Sequence, residues 1–182
     1  MSKNLHSGFI WITGLSAAGK TTIANIISKK LSNKNIKHVL MDGDVLRDCL
    51  DVQAHTRDDR HKNSFRYAKL ARLVATQEGV VGIMATIALF SDVHQWNREN
   101  IPGYFEVFLN VPIDELKKRD PKGIYERFDK GEIKDVAGLD LDVDYPKNPD
   151  FELNFDNSET ANEIADRILS EFYEFRKKNG LN

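Results

Sequence analysis

One short motif constrains the fold of this chain more than any other feature. Residues 14–21 read Gly-Leu-Ser-Ala-Ala-Gly-Lys-Thr and match the pattern G-x-x-x-x-G-K-[ST]. The motif follows an apolar run at residues 9–12 and precedes a stretch with helical periodicity from Lys20 to about Leu31. A glycine-rich turn between strand and helix directs backbone amides and the positive end of the helix dipole towards one point. The sequence therefore predicts a phosphate-binding loop; the alternative is a chance glycine-rich turn.

The side chains of this loop have separate expected roles towards a nucleoside triphosphate. Lys20 is predicted to bridge the β- and γ-phosphates of ATP, and Thr21 to bind Mg²⁺. The other predicted ATP contacts in the loop are Gly14, Ser16, Ala17, Ala18, Gly19 and Thr22. A GTP switch protein or a nucleotide-binding regulatory module stays open as an alternative. The N-K-x-D segment usual in guanine readers is not matched, since residues 33–36 read Asn-Lys-Asn-Ile.

Short apolar runs alternate with helical stretches along most of the chain. Strands are predicted at residues 9–12, 39–41, 80–84, 104–109 and 151–155. Helices are predicted at residues 20–31, from 56 to about 79, around 93–99, at 112–119 and at 159–178. Near-continuous apolar strands separated by helices are typical of a parallel sheet covered on both faces. We therefore expect an α/β fold with three layers, α/β/α, around a mainly parallel five-stranded sheet.

The interval 120–148 breaks this alternation. It contains Gly123, Gly131 and Gly138, few large apolar residues and many charges. Such an interval is a mobile lid or a long surface loop, and we predict a lid. The whole chain, residues 1–182, is predicted to be a single domain, because 182 residues of which 41% are hydrophobic fill one core and leave little for a second.

Composition narrows the range of partners. The formal net charge is −2, whereas proteins that bind nucleic acid or membrane surfaces usually carry an excess of basic residues. A small-molecule partner is therefore expected, with no nucleic acid and no membrane. The single cysteine, Cys49, excludes an intrachain disulfide, and no apolar run approaches the ~20 residues that span a bilayer. The first residues lack the apolar stretch of a secretory signal, so a cytoplasmic location is expected. The oligomeric state stays open, with a homodimer as one alternative.

Two carboxylates follow the second predicted strand. Asp42 and Asp44 flank Gly43 at the sheet edge where open α/β folds bind their ligands. One carboxylate can hold a water of the Mg²⁺ shell while the other accepts the proton of an attacking hydroxyl. We predict that Asp44 is the base and Asp42 the metal-side group, although the sequence does not decide between the two; with Lys20 they form the predicted catalytic set. A plain surface turn is the alternative.

Basic and amide side chains come next along the chain. They are Arg47, Arg60, Asn63 and Arg66. The last three share one helix face by their spacing, and arginine forks bind phosphate-like groups with two hydrogen bonds. We predict a site for an anionic acceptor, with a solvated charged helix face as the alternative. His55 and His61 have no further His or Cys at a ligand spacing, so Mg²⁺ that enters with ATP is the only metal expected.

Taken together, these motifs resemble the adenylylsulfate kinase family. The matching segments are residues 14–22, 42–44 with Arg47, 59–63, 119–125 and 131–134. The resemblance runs from about Phe9 to Phe155 and implies that family's reaction, in which ATP phosphorylates the ribose 3′-hydroxyl of a nucleotide 5′-anhydride. It also implies that Arg119 packs on the adenine of ATP, and that Lys134 in the lid and Ile87 lie on the acceptor side.

Departures from the family pattern concentrate on the acceptor side, although Ala17 also replaces a usual glycine. Two phenylalanine rings sandwich the acceptor's adenine in the family, and His55 and Val136 stand at their positions here. Residues 87–90 read Ile-Ala-Leu-Phe instead of Ile-Ser-Pro-Tyr, which removes a hydroxyl. Because stacking contributes ~1–3 kcal/mol per base, adenine should bind more weakly. Cytidine diphosphoramidate, the acceptor of a similar branch that acts in capsule biosynthesis, is the favoured substrate; adenylylsulfate is the alternative.

Overall fold

Strands and helices alternate through residues 7–52 and 56–181, the part of the chain that the computed structural model describes. The strands are β1 (Gly8–Thr13), β2 (His38–Asp42), β3 (Val81–Ala85), β4 (Tyr104–Asn110) and β5 (Phe151–Asn154). The helices are α1 (Lys20–Asn33), α2 (Gly43–Cys49), α3 (Arg57–Ala75), α4 (Ser91–Asn100), α5 (Ile113–Arg119), α6 (Ile124–Asp129) and α7 (Ala161–Lys178). None of these described helices is long and apolar enough to cross a membrane.

All strand pairs in the sheet are parallel, in the order β2-β3-β1-β4-β5. The expected α/β fold with a five-stranded sheet is therefore confirmed. The chain runs from β1 out to β2, returns to β3, and then crosses β1 to reach β4. Ligands of open α/β sheets bind in the crevice at such a change of direction, beyond the carboxyl ends of the strands. The phosphate loop follows β1 and therefore lies at the middle of that edge.

The central strand shows why helices cover both faces. Phe9 and Trp11 point to one face and pack against α3 and α4, whereas Ile10 and Ile12 point to the other and pack against α1 and α7. All four side chains are fully buried. Successive strand residues alternate between faces, so an unbroken apolar run requires an apolar layer on each side. The result is the three-layer arrangement.

Capping explains where the two longest helices begin. Thr56 accepts a hydrogen bond from the Asp59 amide at 3.1 Å, and the Asp59 carboxylate accepts one from the Thr56 amide at 3.3 Å. Thr160 and Glu163 form the same capping box before α7. The predicted start of this helix at residue 56 is confirmed, although α3 ends at Ala75, before the predicted end near residue 79.

Two short helices were not expected from the sequence. The Asp-Gly-Asp segment leads directly into α2, because the Asp42 side chain accepts a hydrogen bond from the Asp44 amide at 2.8 Å and caps the helix. The plain-turn interpretation of this segment is therefore wrong. The interval 120–148 contains α6, and Tyr125, Val136 and Leu141 in it are buried, so it is more than a surface loop.

Candidate active site

A cleft of about 1700 Å³ opens at the carboxyl edge of the sheet. Its walls come from the phosphate loop, the β2–α2 junction, α3, the segment after β3 and the interval 120–148. The predicted site residues on these walls are Ser16, Ala17, Ala18, Gly19, Lys20, Thr21, Thr22, Asp42, Asp44, Arg47, Arg60, Asn63, Ile87, Arg119, Lys134 and Val136. The structure thus brings together residues from across the chain.

Three predicted residues are not placed on the cleft wall. Gly14 lies beneath the loop with a φ of 149°, and a Cβ there would stand 2.8 Å from the Leu109 carbonyl oxygen. This close approach to β4 explains why glycine is needed at that position. Arg66 donates to Asn63 Oδ1 at 2.6 Å from outside the cleft, so it can orient Asn63 without reaching a ligand. His55 lies outside the described residues.

The phosphate loop is held by contacts at both of its ends. Lys20 Nζ donates to the Leu15 carbonyl at 2.7 Å, and the Tyr125 hydroxyl donates to the Ser16 carbonyl at 3.0 Å. Burial, followed by the charge of Lys122, lowers the pKa of Lys20 to about 7, and Asp42 acts in the opposite direction. An anionic ligand beside Lys20 would raise this pKa again, because negative charge stabilises the protonated ammonium. The surroundings of Lys20 therefore favour the binding of an anion.

Oxygen atoms suited to a magnesium ion meet between the loop and β2. Thr21 Oγ1 donates to Asp42 Oδ2 at 2.6 Å, while Asp42 Oδ1 caps α2. Mg²⁺ prefers hydroxyl, carboxylate and phosphate oxygens and usually keeps several waters. Thr21 and Asp42 therefore fit the predicted ion, with ATP phosphates supplying further oxygens.

Asp44 is paired with two cations, one from its own helix and one from the turn between α5 and α6. Arg47, one helical turn later in α2, donates to Oδ1. Lys122, in the turn between α5 and α6, donates to Oδ2. The sequence placed Lys122 only within a family-like motif, and no local pattern indicated that it contacts a residue 78 positions earlier.

One end of the cleft combines charged side chains with an aliphatic wall. Burial lowers the pKa of Arg60, with a smaller contribution in the same direction from Arg47, while Asp135 and Asp140 raise it. The Asp140 carboxylate accepts hydrogen bonds from the amides of Asp135 at 2.9 Å and Val136 at 2.7 Å. These bonds fix the backbone next to Arg60 and hold the buried Val136 on the cleft wall.

The opposite end of the cleft is lined by apolar side chains and by the planar guanidinium of Arg119. The Arg119 guanidinium lies 4.2 Å from the centroid of the Phe155 ring and is held by Glu115 at 3.0 Å. Leu153 and Ile164 complete this end. Phe155 was predicted only as the end of a strand, and its position beside Arg119 follows from the sheet order. An aromatic base can pack against such a surface.

A phosphate loop after β1, acids after β2 and converging basic side chains define a phosphotransferase of the phosphate-loop class. The chain belongs to the adenylylsulphate kinase family, whose model matches residues 6–154.

Individual relatives agree with this assignment. The chain is 34% identical over 161 residues to the adenylyl-sulfate kinase of a Picosynechococcus species, covering 87% of this chain and 90% of that protein. It is 36% identical over 138 residues to the cytidine diphosphoramidate kinase of Campylobacter jejuni, covering 76% and 81%. The Mycobacterium tuberculosis APS kinase CysC, solved with AMPPNP and APS, superposes with a TM-score of 0.84 at 31% identity, covering 91% of this chain and 97% of that one.

Proposed function

We propose that this kinase transfers the γ-phosphoryl group of ATP to the ribose 3′-hydroxyl of a nucleotide 5′-anhydride, with cytidine diphosphoramidate as the favoured acceptor. The supporting observation is Val136, a buried aliphatic side chain on the cleft wall where the family carries a stacking ring. The Campylobacter jejuni relative with that activity in its name adds support.

The donor half of the cleft would bind the triphosphate. Lys20 and the loop amides would contact the phosphates, and Arg119 with Phe155 would hold the adenine. Thr21 and Asp42 would hold Mg²⁺, which supplies charge neutralisation at the β- and γ-phosphate oxygens.

The acceptor half would position and deprotonate the hydroxyl. Asp44 is the proposed base because its carboxylate lies at the start of α2 beside the phosphate loop. Arg47 and Arg60 would bind the charged 5′ end of the acceptor through their guanidinium forks. A base within hydrogen-bonding reach of the attacking hydroxyl typically contributes a factor of about 10² to 10⁴ in rate.

The two candidate acceptors carry bases of different size, since cytosine is smaller than adenine. Adenine presents a large face that two aromatic rings stabilise by ~1–3 kcal/mol each, whereas Val136 offers a small aliphatic contact. A pyrimidine loses less from the missing ring area because it has less area to cover. The shape of the cleft wall at Val136 therefore favours cytosine.

Adenylylsulfate is the second candidate. Several relatives of similar identity are named adenylyl-sulfate kinases, and Arg60 and Asn63 line the cleft as that activity would also require. The product would then be 3′-phosphoadenylylsulfate.

Specificity constants for the two acceptors test the proposal. We expect kcat/KM for cytidine diphosphoramidate to exceed that for adenylylsulfate by about tenfold or more at equal ATP and Mg²⁺, on the scale of one lost stacking contact. The double variant His55→Phe, Val136→Phe should shift the ratio towards adenylylsulfate. Val39→Phe, on the exposed β2 position away from the cleft, is the matched control and should leave the ratio unchanged. A higher value for adenylylsulfate in the unaltered enzyme would establish the second candidate.

A further inference from the structure

A glutamate lies at the apolar end of the cleft. Glu159, in the loop between β5 and α7, is on the cleft wall together with Leu153 and Ile164. Arg119, packed on the Phe155 ring, lines the same end. Apolar contacts hold the face of an aromatic base, whereas hydrogen bonds to its edge distinguish one base from another. The Glu159 carboxylate adds a hydrogen-bond acceptor to a surface that is otherwise suited to the face of a base.

The carboxylate of Glu159 is held in place by the protein. Arg167 Nη1, in α7, lies 3.0 Å from Glu159 Oε2, and the Arg167 guanidinium lies 4.8 Å from the centroid of the buried Phe151 ring. The next residue, Thr160, caps α7 and donates its amide to Glu163 at 2.8 Å, which fixes the backbone beside Glu159. The position of the carboxylate is therefore set before a nucleotide binds.

The ion pair leaves one oxygen of Glu159 for a ligand. Oε2 faces Arg167, and none of the hydrogen bonds among the described residues reaches Oε1. The side chain is 28% exposed, so a hydrogen bond to it is partly shielded from water. A single acceptor matches the 6-amino group of adenine, whereas guanine has an oxygen at that position and pairs best with both oxygens of a carboxylate through its two neighbouring donors.

We propose that Glu159 Oε1 accepts a hydrogen bond from the 6-amino group of the ATP adenine and thereby selects ATP over GTP. Arg167 is a positioning residue that keeps Oε2 away from the base. This inference rests on the proposed place of adenine beside Arg119 and Phe155, and it holds whichever acceptor is phosphorylated.

Equilibrium binding without an acceptor tests the contact with the amino group. Calorimetry would compare Mg²⁺-ADP with the Mg²⁺ complex of purine riboside 5′-diphosphate, which differs from ADP only in lacking the 6-amino group. We expect the unaltered protein to bind ADP about tenfold more tightly, on the scale of one hydrogen bond to a charged group. Glu159→Met should remove this preference by weakening ADP alone. Glu159→Gln keeps an acceptor oxygen and should retain a preference of about threefold.

Guanine and a distant glutamate provide the comparisons. The unaltered protein should bind GDP at least about tenfold more weakly than ADP, and Arg167→Met, which frees Oε2, should narrow that difference about threefold. An unchanged difference in Arg167→Met would show that Arg167 does not position the carboxylate. Glu174→Met, an exposed glutamate of α7 that is paired with Lys177 and is not on the cleft wall, should alter none of these ratios.

One further variant separates a failure of this inference from a failure of the proposed donor site. Arg119→Met should weaken ADP and purine riboside 5′-diphosphate equally, because packing on the face of the base does not need the amino group. If it does so while Glu159→Met leaves the preference for ADP intact, adenine lies at this end of the cleft but Glu159 does not read it. If Arg119→Met weakens neither ligand, the proposed place of adenine fails and this inference fails with it.

Discussion

Lys20 is a charged group whose protonation should respond to ATP in the proposed function. Its pKa is lowered to about 7 by burial and by Lys122, so it is about half protonated in the ligand-free protein at neutral pH. Phosphate oxygens favour the charged form. ATP binding should therefore raise this pKa and take up a proton wherever the ligand-free lysine is neutral, that is, above about pH 7.

Proton uptake on ATP binding is the measurable result. At about pH 8.5, where the ATP phosphates are already ionised, we expect close to one proton per ATP and an affinity that falls by up to about tenfold for each further pH unit. Calorimetry in two buffers of different ionisation enthalpy measures the uptake. Lys20→Arg stays charged and should show no uptake from this site. Proton-neutral binding by the unaltered protein would contradict the lowered pKa.

Backbone strain is also concentrated at single residues of the cleft. Non-glycine residues with φ between 32° and 62° line it at Ala17, Asp51, Ala88 and Asp135. A side chain in this left-handed region costs ~1–2 kcal/mol, and such strain tends to occur at functional sites.

Ala17→Gly should therefore stabilise the protein. Relief of ~1–2 kcal/mol of strain, offset by ~0.5–1 kcal/mol for the greater freedom of glycine in the unfolded chain, gives a net gain of about 0.5–1 kcal/mol. Urea unfolding measures it. Ala18→Gly, at the next position of the same loop and outside the left-handed region, should instead lose about 0.5–1 kcal/mol. Similar losses for both variants would show that Ala17 carries no strain.

At the scale of elements, a buried tyrosine of α6 is hydrogen-bonded to the phosphate loop. Tyr125 is 1% exposed, and burial, with contributions from Asp120 and Tyr145, raises its pKa to about 12, so it stays a donor throughout the physiological range. Its bond to the Ser16 carbonyl joins the interval 120–148 to the loop between β1 and α1, which is the predicted phosphate-binding loop.

Tyr125→Phe should remove the hydrogen bond to Ser16 while the buried aromatic ring stays in place. We expect a loss of about 1 kcal/mol in unfolding free energy, the usual net contribution of one hydrogen bond, and an ATP KM raised several-fold. Tyr173→Phe is the control, because the buried Tyr173 hydroxyl has no hydrogen-bond partner among the described residues. Its removal should be neutral or slightly stabilising. Equal effects of the two variants would argue that the Ser16 contact has no special role.

At the scale of the whole molecule, one polar network joins three separate parts of the chain. Arg98 in α4 donates to Glu106 in β4 at 3.0 Å and to Asp150 before β5 at 3.1 Å, and Tyr104 donates to Glu106 at 2.8 Å. The Glu106 side chain is only 3% exposed. The Arg98 side chain is 43% exposed, but removing it leaves the charge of Glu106 buried without its cation, which is costly.

Arg98→Met should consequently destabilise the fold by about 3 kcal/mol, since Glu106 loses its cation. Thermal or urea unfolding measures the loss. Lys30→Met removes the ion pair of α1 with α7, whose Asp166 side chain is 65% exposed, and should cost less than about 1 kcal/mol. If the two variants lose equal stability, the burial of Glu106 does not set the energy of the network.

The regular part of this molecule could be predicted from the sequence because its signals are local. Residues 9–12 are apolar at every position, which only a strand covered on both faces tolerates, and Thr56 with Asp59 begins α3 as a capping box does. The phosphate loop is likewise a contiguous motif. These features need no knowledge of distant residues.

The remaining features depend on contacts that no local pattern encodes. Helix α2 has seven residues, too few for a periodic signal, and needs the Asp42 cap. The pairing of Lys122 with Asp44 and that of Arg98 with Asp150 join positions far apart in the chain. Such pairs follow from the order of strands in the sheet, which determines which distant segments of the chain become neighbours.

The two hydrogen bonds accepted by Asp42 restrict how this scaffold can change its substrate. Oδ2 accepts a hydrogen bond from the Thr21 hydroxyl at the end of the phosphate loop, and Oδ1 accepts one from the Asp44 amide in the first turn of α2. A substitution that shifts either half of the cleft therefore shifts the other. In the proposed function, a change of acceptor base is therefore expected at positions away from this shared carboxylate, such as Val136, because a substitution there leaves the two hydrogen bonds of Asp42 in place.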